Sequence, residues 1–394
     1  MITTPVILIF DIGKTNKKIL LFNEQYEVVL EKSVQFAEIK DEDGFPCDDV
    51  EALTNWVKHS VEEISQDPAY SVQAIHCTAY GASFVYIDEE GKVVAPLYNY
   101  LKPIKASTKE LFVERYGPLP MLCLQTASPD LDNLNSGLQL FRIKVEHPEI
   151  FSRIRWALHL PQYIHYVITK KIASDITSIG CHTFLWDFSK NNYHDWVKAE
   201  HLDKILPPIQ THVGLHDSSS ALIPYLKAFE EPFVLISTGT WCISLNPFNQ
   251  SPLTVEELNN DTLCFMSYTG QSIKASRLFA GKKHEVELQQ LKAAALDEIE
   301  FENAYQKLMD EIVAEQVKST NLVLTGTSVK KIFVDGGFSK NEHYMRGLVK
   351  AYPGMEIYAA EVAQATALGA ALSMHDKWKK GPAPDQILKM VRFP

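Results

Sequence analysis

No Cys-x-x-Cys pair occurs among the six cysteines, Cys47, Cys77, Cys123, Cys181, Cys242 and Cys264, which lie far apart in the chain. That spacing indicates neither a zinc site nor a compact disulfide framework and leaves six reduced, mostly buried thiols as the expectation. No apolar run approaches the ~18 residues that a membrane span requires. The opening MITTPVILIF lacks the basic segment of a secretion signal. A cytoplasmic protein is expected. Positive charge is in deficit: 38 lysines and arginines stand against 49 aspartates and glutamates, a formal net charge of −11. That field repels a phosphate backbone, and the basic residues are scattered, so neither nucleic acid nor membrane is an expected partner. Low-complexity segments are missing as well.

What the chain has is core. Its 394 residues are 46% hydrophobic, enough for two or three domains at roughly 150 residues each. The pattern opens with strands near Val6–Asp11, Lys18–Phe22 and Val28–Val34, a β-meander. A helix follows, signalled by Asp48 with Glu51 three residues on and by Leu53, Trp56, Val57, Val61 and Ile64 at helical spacing. The aromatic-rich stretch from Leu138 to Thr169 reads as several short helices broken at Pro148 and Pro161.

Between the first two strands stands a turn that plain connection does not explain. "FDIGKTNKKILLF" carries Asp11, Gly13, Lys14, Thr15, Asn16 and Lys18 where two residues would suffice for a hairpin. A surface loop is one reading. The other is a phosphate cradle: glycine admits close backbone approach, amides and hydroxyls face the oxygens, lysine neutralises charge, and the carboxylate holds hydrated magnesium.

The second half replays this unit. "FVLISTGTWCISL" is again strand, small-residue turn and strand; laying Gly239 on Gly13 brings Ser237 onto Asp11 and Thr240 onto Lys14. An internal duplication is expected. Further on, "KKIFVDGGFSKN" feeds a strand through Gly336 and Gly337 into a helix, a place where backbone approaches a flat ligand. The helix Phe301–Val317 carries an apolar stripe of Phe301, Ala304, Tyr305, Leu308 and Ile312. The run Ala363, Ala365, Ala367, Gly369, Ala370 and Ala371 reads as a tightly packed helix. In "GLHDSSSAL", Asp217 stands at a helix start, either as a cap or as a base able to deprotonate an alcohol.

"DIGKTNKK", "HD" before a helix, "STGTW" and "DGGFSKN…ATALGAAL" occur in an order that resembles the FGGY carbohydrate kinases, of the actin, hexokinase and heat-shock-protein ATPase superfamily. "GLHDSSSAL…STGTW" is most similar to the rhamnulokinase and fuculokinase branch, and the resemblance runs from about residue 6 to about 372. It implies an α/β protein of two RNase H-like domains with an interdomain cleft: residues 1–225 bind sugar, residues 226–394 bind nucleotide. A homodimer is compatible with it. The implied reaction is ATP-dependent phosphorylation of a ketose or deoxyketose hydroxyl.

Carried over by position, Asp217 is the general base and His216 lies beside the sugar. Gly81, Ala82 and Ser83 form the strand edge facing the sugar, and Asn99 joins them as a substrate residue. Asp11 holds Mg2+ through water. Gly13, Lys14, Thr15, Asn16 and Lys18 surround the phosphates of ATP, Gly239 and Thr240 meet them from the other domain, and Gly336, Gly337 and Asn341 line the adenosine pocket. Three departures stand out. Lys14 replaces a small residue and either contacts phosphate or protrudes to solvent. Tyr98, Asn99 and Tyr100 stand where an acid and an arginine often grip the sugar. The chain is short around Gly281–Ile299, implying a trimmed lid or a missing helix. Rival expectations are an actin-like or heat-shock-type ATPase switch, for which no partner-binding domain fits in 394 residues, and a catalytically weak sugar sensor.

Overall fold

The computed structural model describes residues 3–360, 364–384 and 387–394. The chain divides into two compact units: Met1–Ile223, Phe265–Gln271 and Gln364–Pro384 form the first, and Pro224–Cys264, Ser272–Ala363 and Asp385–Pro394 the second. The division is discontinuous where the sequence suggests a single boundary after residue 225. The reason is packing: the helix Ala365–Ser373 lies against the first unit's sheet, and Gly369 brings it so close that a Cβ there would sit 1.9 Å from the Ser220 carbonyl oxygen.

The first unit is built on five strands, β1 (Thr4–Ile12), β2 (Lys17–Phe22), β3 (Val28–Val34), β4 (Tyr70–Ala79) and β5 (Leu215–His216), in spatial order β5-β4-β1-β2-β3. The β1, β2 and β3 meander is antiparallel, while β4 and β5 join parallel. Val6 to Phe10 are fully buried, as a continuous apolar strand covered on both faces must be. Over it lies α1 (Val50–Gln66), whose Val50, Leu53, Val57 and Ile64 enter the same core. Its N-cap is Asp49, not Asp48: Asp49 accepts from the amides of Glu51 and Ala52, leaving Asp48 for another task. The aromatic-rich stretch is helical at Ser136–Glu146, Pro148–Phe151 and Leu160–Thr169, but Trp156–His159 is a strand paired with Phe84–Ile87. Both prolines sit in a first helical turn, where a missing N–H costs nothing.

The second unit repeats the plan. Its strands β6 (Phe233–Thr238), β7 (Cys242–Asn246), β8 (Thr262–Met266), β9 (Ser272–Leu278), β10 (Lys331–Gly336), β11 (Glu356–Ala360) and β12 (Met390–Arg392) run in the order β8-β9-β7-β6-β10-β11-β12. Its central β9-β7-β6-β10-β11 matches β3-β2-β1-β4-β5 in order and direction. The two first hairpins close alike: the Gly13 amide donates to the Asn16 carbonyl at 2.9 Å, and the Gly239 amide to the Trp241 carbonyl at 2.8 Å, one residue sooner. This is the duplication read from the two glycine turns. The helix predicted over 301–317 extends from Glu298 to Leu324, started by an Asp297–Glu300 capping box. The segment read as shortened, 281–299, carries a helix of its own, Ala280–Ala293. Ala363 of the alanine run lies outside the described residues, and its helix begins at Ala365. All six cysteines are free and buried. Among the described residues no helix is long and apolar enough to cross a membrane.

Candidate active site

In the first unit Asp11 is the penultimate residue of β1, just before the polar turn. Asp11 pairs with Lys18 across the β1–β2 ladder, and its Oδ2 accepts from the Thr366 hydroxyl at 2.7 Å. Burial pushes the Asp11 carboxyl up to about 6 against the lowering effect of that hydrogen bond, and the nearby charge of Asp217 adds to the rise. The Asp217 charge thus reaches a carboxyl 206 positions away in the sequence. Lys18 reaches Gln364 Oε1 at 2.9 Å and Glu31 at 3.2 Å. Thr15 and Asn16 are exposed at the tip, and the Asn16 side chain accepts from Gln35.

Lys14 does not protrude freely to solvent but is ion-paired. Its ammonium lies 2.6 Å from Asp48 Oδ2 and 3.2 Å from Glu38. The buried Lys17 holds the other oxygen of Asp48 at 2.9 Å, and the Tyr80 hydroxyl donates to Asp48 as well. Burial alone would raise the Asp48 carboxyl; the hydrogen bonds and charges of Lys14 and Lys17, with Tyr80, outweigh it and hold the group below the usual carboxylate range. Lys14 thus braces the turn together with Lys17, and sequence spacing gave no sign that both share Asp48.

Asp217 opens the helix Asp217–Ala228 directly after the edge strand β5. Its side chain is one-third exposed, 33%, and Oδ1 accepts from the Ser218 amide at 2.6 Å. His216 Nε2 lies 3.3 Å from the same oxygen. Burial lowers the His216 pKa, so the ring is neutral near pH 7. It packs against the His182 and Phe265 rings, with centroids 6.0 and 5.4 Å away. Gly81 leaves the room: a Cβ there would stand 2.7 Å from His216 Nε2. Ala82 adopts φ +63°, a strained conformation for a residue with a side chain, and its carbonyl accepts from Gln139. Ser83 is buried, with its hydroxyl directed to the Tyr98 carbonyl.

Asn99 is buried and fastened to backbone at both ends of its amide. Its amide nitrogen donates to the Pro46 carbonyl and its oxygen accepts from the Leu101 amide. Burial raises the phenol pKa of its neighbour Tyr100; Lys14 opposes this, and the Asp217 charge adds to it.

The second unit holds a cavity of about 290 Å³ lined by Thr238, Gly239, Gly281, His284, Gly337, Phe338 and Asn341. Gly336, at φ +78°, comes so near β6 that a Cβ would sit 1.8 Å from the Thr238 carbonyl oxygen. The Thr238 hydroxyl donates to the Asp335 carbonyl and accepts from the Phe338 amide. Gly281 approaches the Gly239 carbonyl oxygen just as closely, and the Lys282 amide donates to the Thr240 carbonyl at 3.1 Å. The Ala280–Ala293 helix is therefore seated on the turn. Thr240 itself is exposed. Asn341 caps the helix Glu342–Ala351 with its oxygen and donates from its nitrogen to the Tyr305 hydroxyl at 2.7 Å. Gly281 and His284 escaped the sequence reading because they belong to a segment taken for a deletion.

Two strand–glycine-turn–strand units of one topology, the first carrying Asp11, together with an Asp at a helix start define a class. Residues 6–210 match the FGGY family of carbohydrate kinases, N-terminal domain. Residues 230–320 match the carbohydrate kinase FGGY, C-terminal domain. The chain belongs to the FGGY family of carbohydrate kinases. It is 25% identical over 273 residues to a rhamnulokinase of Halalkalibacterium halodurans, covering 62% of this chain and 54% of that protein. A Mannheimia succiniciproducens rhamnulokinase is 22% identical, with 59% and 52% covered. The chain spans about half the length of these curated relatives. Its fold is that of a carbohydrate kinase from Novosphingobium aromaticivorans, with TM-score 0.82, 20% identity and 99% and 94% of the two chains covered. A ligand-bound xylulose kinase from Lactobacillus acidophilus gives 0.80, 14%, 94% and 88%.

Proposed function

We propose that this protein transfers the γ-phosphoryl group of ATP to a hydroxyl of a ketose or deoxyketose of the rhamnulose, fuculose or xylulose type. The observation that carries the reading is Asp217: it is partly exposed, set at a helix start beside the neutral His216, and near enough to Asp11 to perturb it. Asp217 takes the proton of the sugar hydroxyl as that oxygen attacks the γ-phosphorus; the bond to the β,γ-bridging oxygen breaks and ADP leaves. His216 and the Gly81–Ser83 edge border the sugar. Asn99 and Tyr100 stand where an acid or arginine grips the sugar in relatives of the usual pattern.

Gly13, Thr15, Asn16 and Lys18 meet the phosphates on the first unit. Gly239, Thr240, Gly336, Gly337 and Asn341 serve the nucleotide on the second, where the close approaches at Gly281 and Gly336 leave a cavity with room at the backbone. Asp11 fits magnesium, since a hard oxygen donor whose ionisation burial opposes gains from an adjacent cation. It would hold the ion through water, and the ion supplies charge neutralisation at the phosphates.

The test is a screen of ketoses with ADP release as the readout, on the parent and on Asp217→Asn. Turnover should fall by roughly 10²–10⁴-fold in the variant, with ADP binding by calorimetry unchanged. Near-parental turnover at saturating sugar would show Asp217 to be a helix cap only.

A further inference from the structure

The strand that presents Asp217 is the edge of its sheet. β5 is only Leu215–His216, and β4 is its one partner in the sheet. Its outer side therefore has no strand to fix it. A side chain does that work instead: the His216 amide donates to the Thr177 hydroxyl oxygen at 3.0 Å. Thr177 is fully buried and its hydroxyl donates in turn to Asp175 Oδ1 at 2.5 Å, while its own amide donates to the same oxygen at 2.8 Å. Asp175 is 2% exposed and caps the short helix Ile176–Ile179.

We infer that Thr177, oriented by Asp175, is a positioning residue for Asp217, because its hydroxyl fixes the edge-strand amide immediately before the base. The inference rests on the reading of Asp217 as general base. Each bond in the series has one geometry. With two acceptor contacts at Asp175 Oδ1, the Thr177 hydroxyl hydrogen points away from His216 and its lone pair points toward the His216 amide. That amide is buried in an edge strand, so without Thr177 it loses its acceptor and the strand end is free to shift. Displacement of a catalytic group by about 1 Å costs on the order of a hundredfold in rate, whereas substrate contacts made elsewhere would persist.

Thr177→Val keeps the shape and removes the hydroxyl; Thr177→Ser restores it. The measurements are kcat and KM on the ketose turned over fastest, with hydrogen exchange of the His216 amide and a thermal midpoint for each variant. Positioning predicts a roughly ten- to hundredfold fall in kcat for Thr177→Val, KM values within about threefold of parental, faster exchange at His216, and recovery of kcat in Thr177→Ser. A Thr177→Val enzyme that melts earlier but turns over at the parental kcat overturns the inference, as does a Thr177→Ser enzyme as slow as Thr177→Val. Asp217→Asn separates the two claims. If it is inactive while Thr177→Val is fast, only the positioning role falls; if Asp217→Asn is fast, the base and its positioning fall together.

Discussion

Thr366 donates its hydroxyl to Asp11 at 2.7 Å although 355 positions separate them in the sequence. This bond fastens the first turn of the Ala365–Ser373 helix to the carboxylate proposed to hold the metal. It also explains why the helix belongs to the first unit. Ser220, three residues after the proposed base on its helix, donates to the Thr366 carbonyl at 2.8 Å. One residue of the late helix therefore touches both sides of the candidate site.

Asp11 gives opposite pH signatures in activity and stability. Only its ionised form serves magnesium, so kcat/KM for Mg·ATP should rise as pH passes about 6, and Asp11→Asn should abolish that limb. For stability the carboxyl is raised from 3.8 in the native state, so its favourable contribution is complete below about pH 4 and lost as pH climbs through about 6. Asp11→Asn should then be the more stable protein at pH 8, by at most about 3 kcal/mol, and should lose that advantage near pH 4 in urea titrations.

The two lysines on Asp48 should behave differently from Lys18. Lys17→Met leaves a buried carboxylate with one cation fewer and should destabilise the protein by about 3 kcal/mol. Lys14→Ala should cost about 1 kcal/mol and leave the KM for ATP within about twofold of parental. Lys18→Met should raise the KM for ATP more than that for sugar. A large ATP effect from Lys14→Ala would return Lys14 to the phosphates.

Gly81→Ala should injure the sugar side without unfolding the protein. Its Cβ falls 2.7 Å from His216 Nε2, and the ring must turn or move, with a stability cost of about 1–3 kcal/mol. Turnover should fall more than about tenfold while calorimetric ADP binding stays parental.

Gly281→Ala should do the converse. Its Cβ would collide with the Gly239 carbonyl oxygen and come within 3.0 Å of the Thr240 carbonyl oxygen, lifting the Ala280–Ala293 helix off the turn. ADP affinity should drop at least about tenfold. Gly354→Ala, with no atom within 4 Å of the new Cβ, is the control and should bind ADP normally.

Much of the fold was written in local pattern. The β-meander, the second strand-turn-strand unit, the Gly336–Gly337 turn and the helix over 301–317 all follow from apolar periodicity punctuated by glycine. Trp156–His159 differs from the helical reading because three apolar residues and a histidine between two helices carry no period of their own; pairing with Phe84–Ile87 makes them a strand. Asp48 was misread because Asp48 and Asp49 are adjacent and either can cap; the cap went to Asp49 and two lysines took Asp48.

At the site, the order of residues alone supplies the chemical groups and the turns that carry them: Asp11 on its glycine turn, Asp217 at a helix start, the paired glycine hairpins. Those depend on neighbours a few residues away, so a linear reading reaches them. Tertiary structure alone decided what each charge faces. It turned Lys14 to Asp48, tied Asn99 to backbone, brought Thr366 to Asp11 and set the Ala280–Ala293 helix on the Gly239 turn. The physical reason is range: backbone conformation is set by local sterics and hydrogen bonding, whereas a polar side chain's partner is chosen by which distant groups are desolvated beside it.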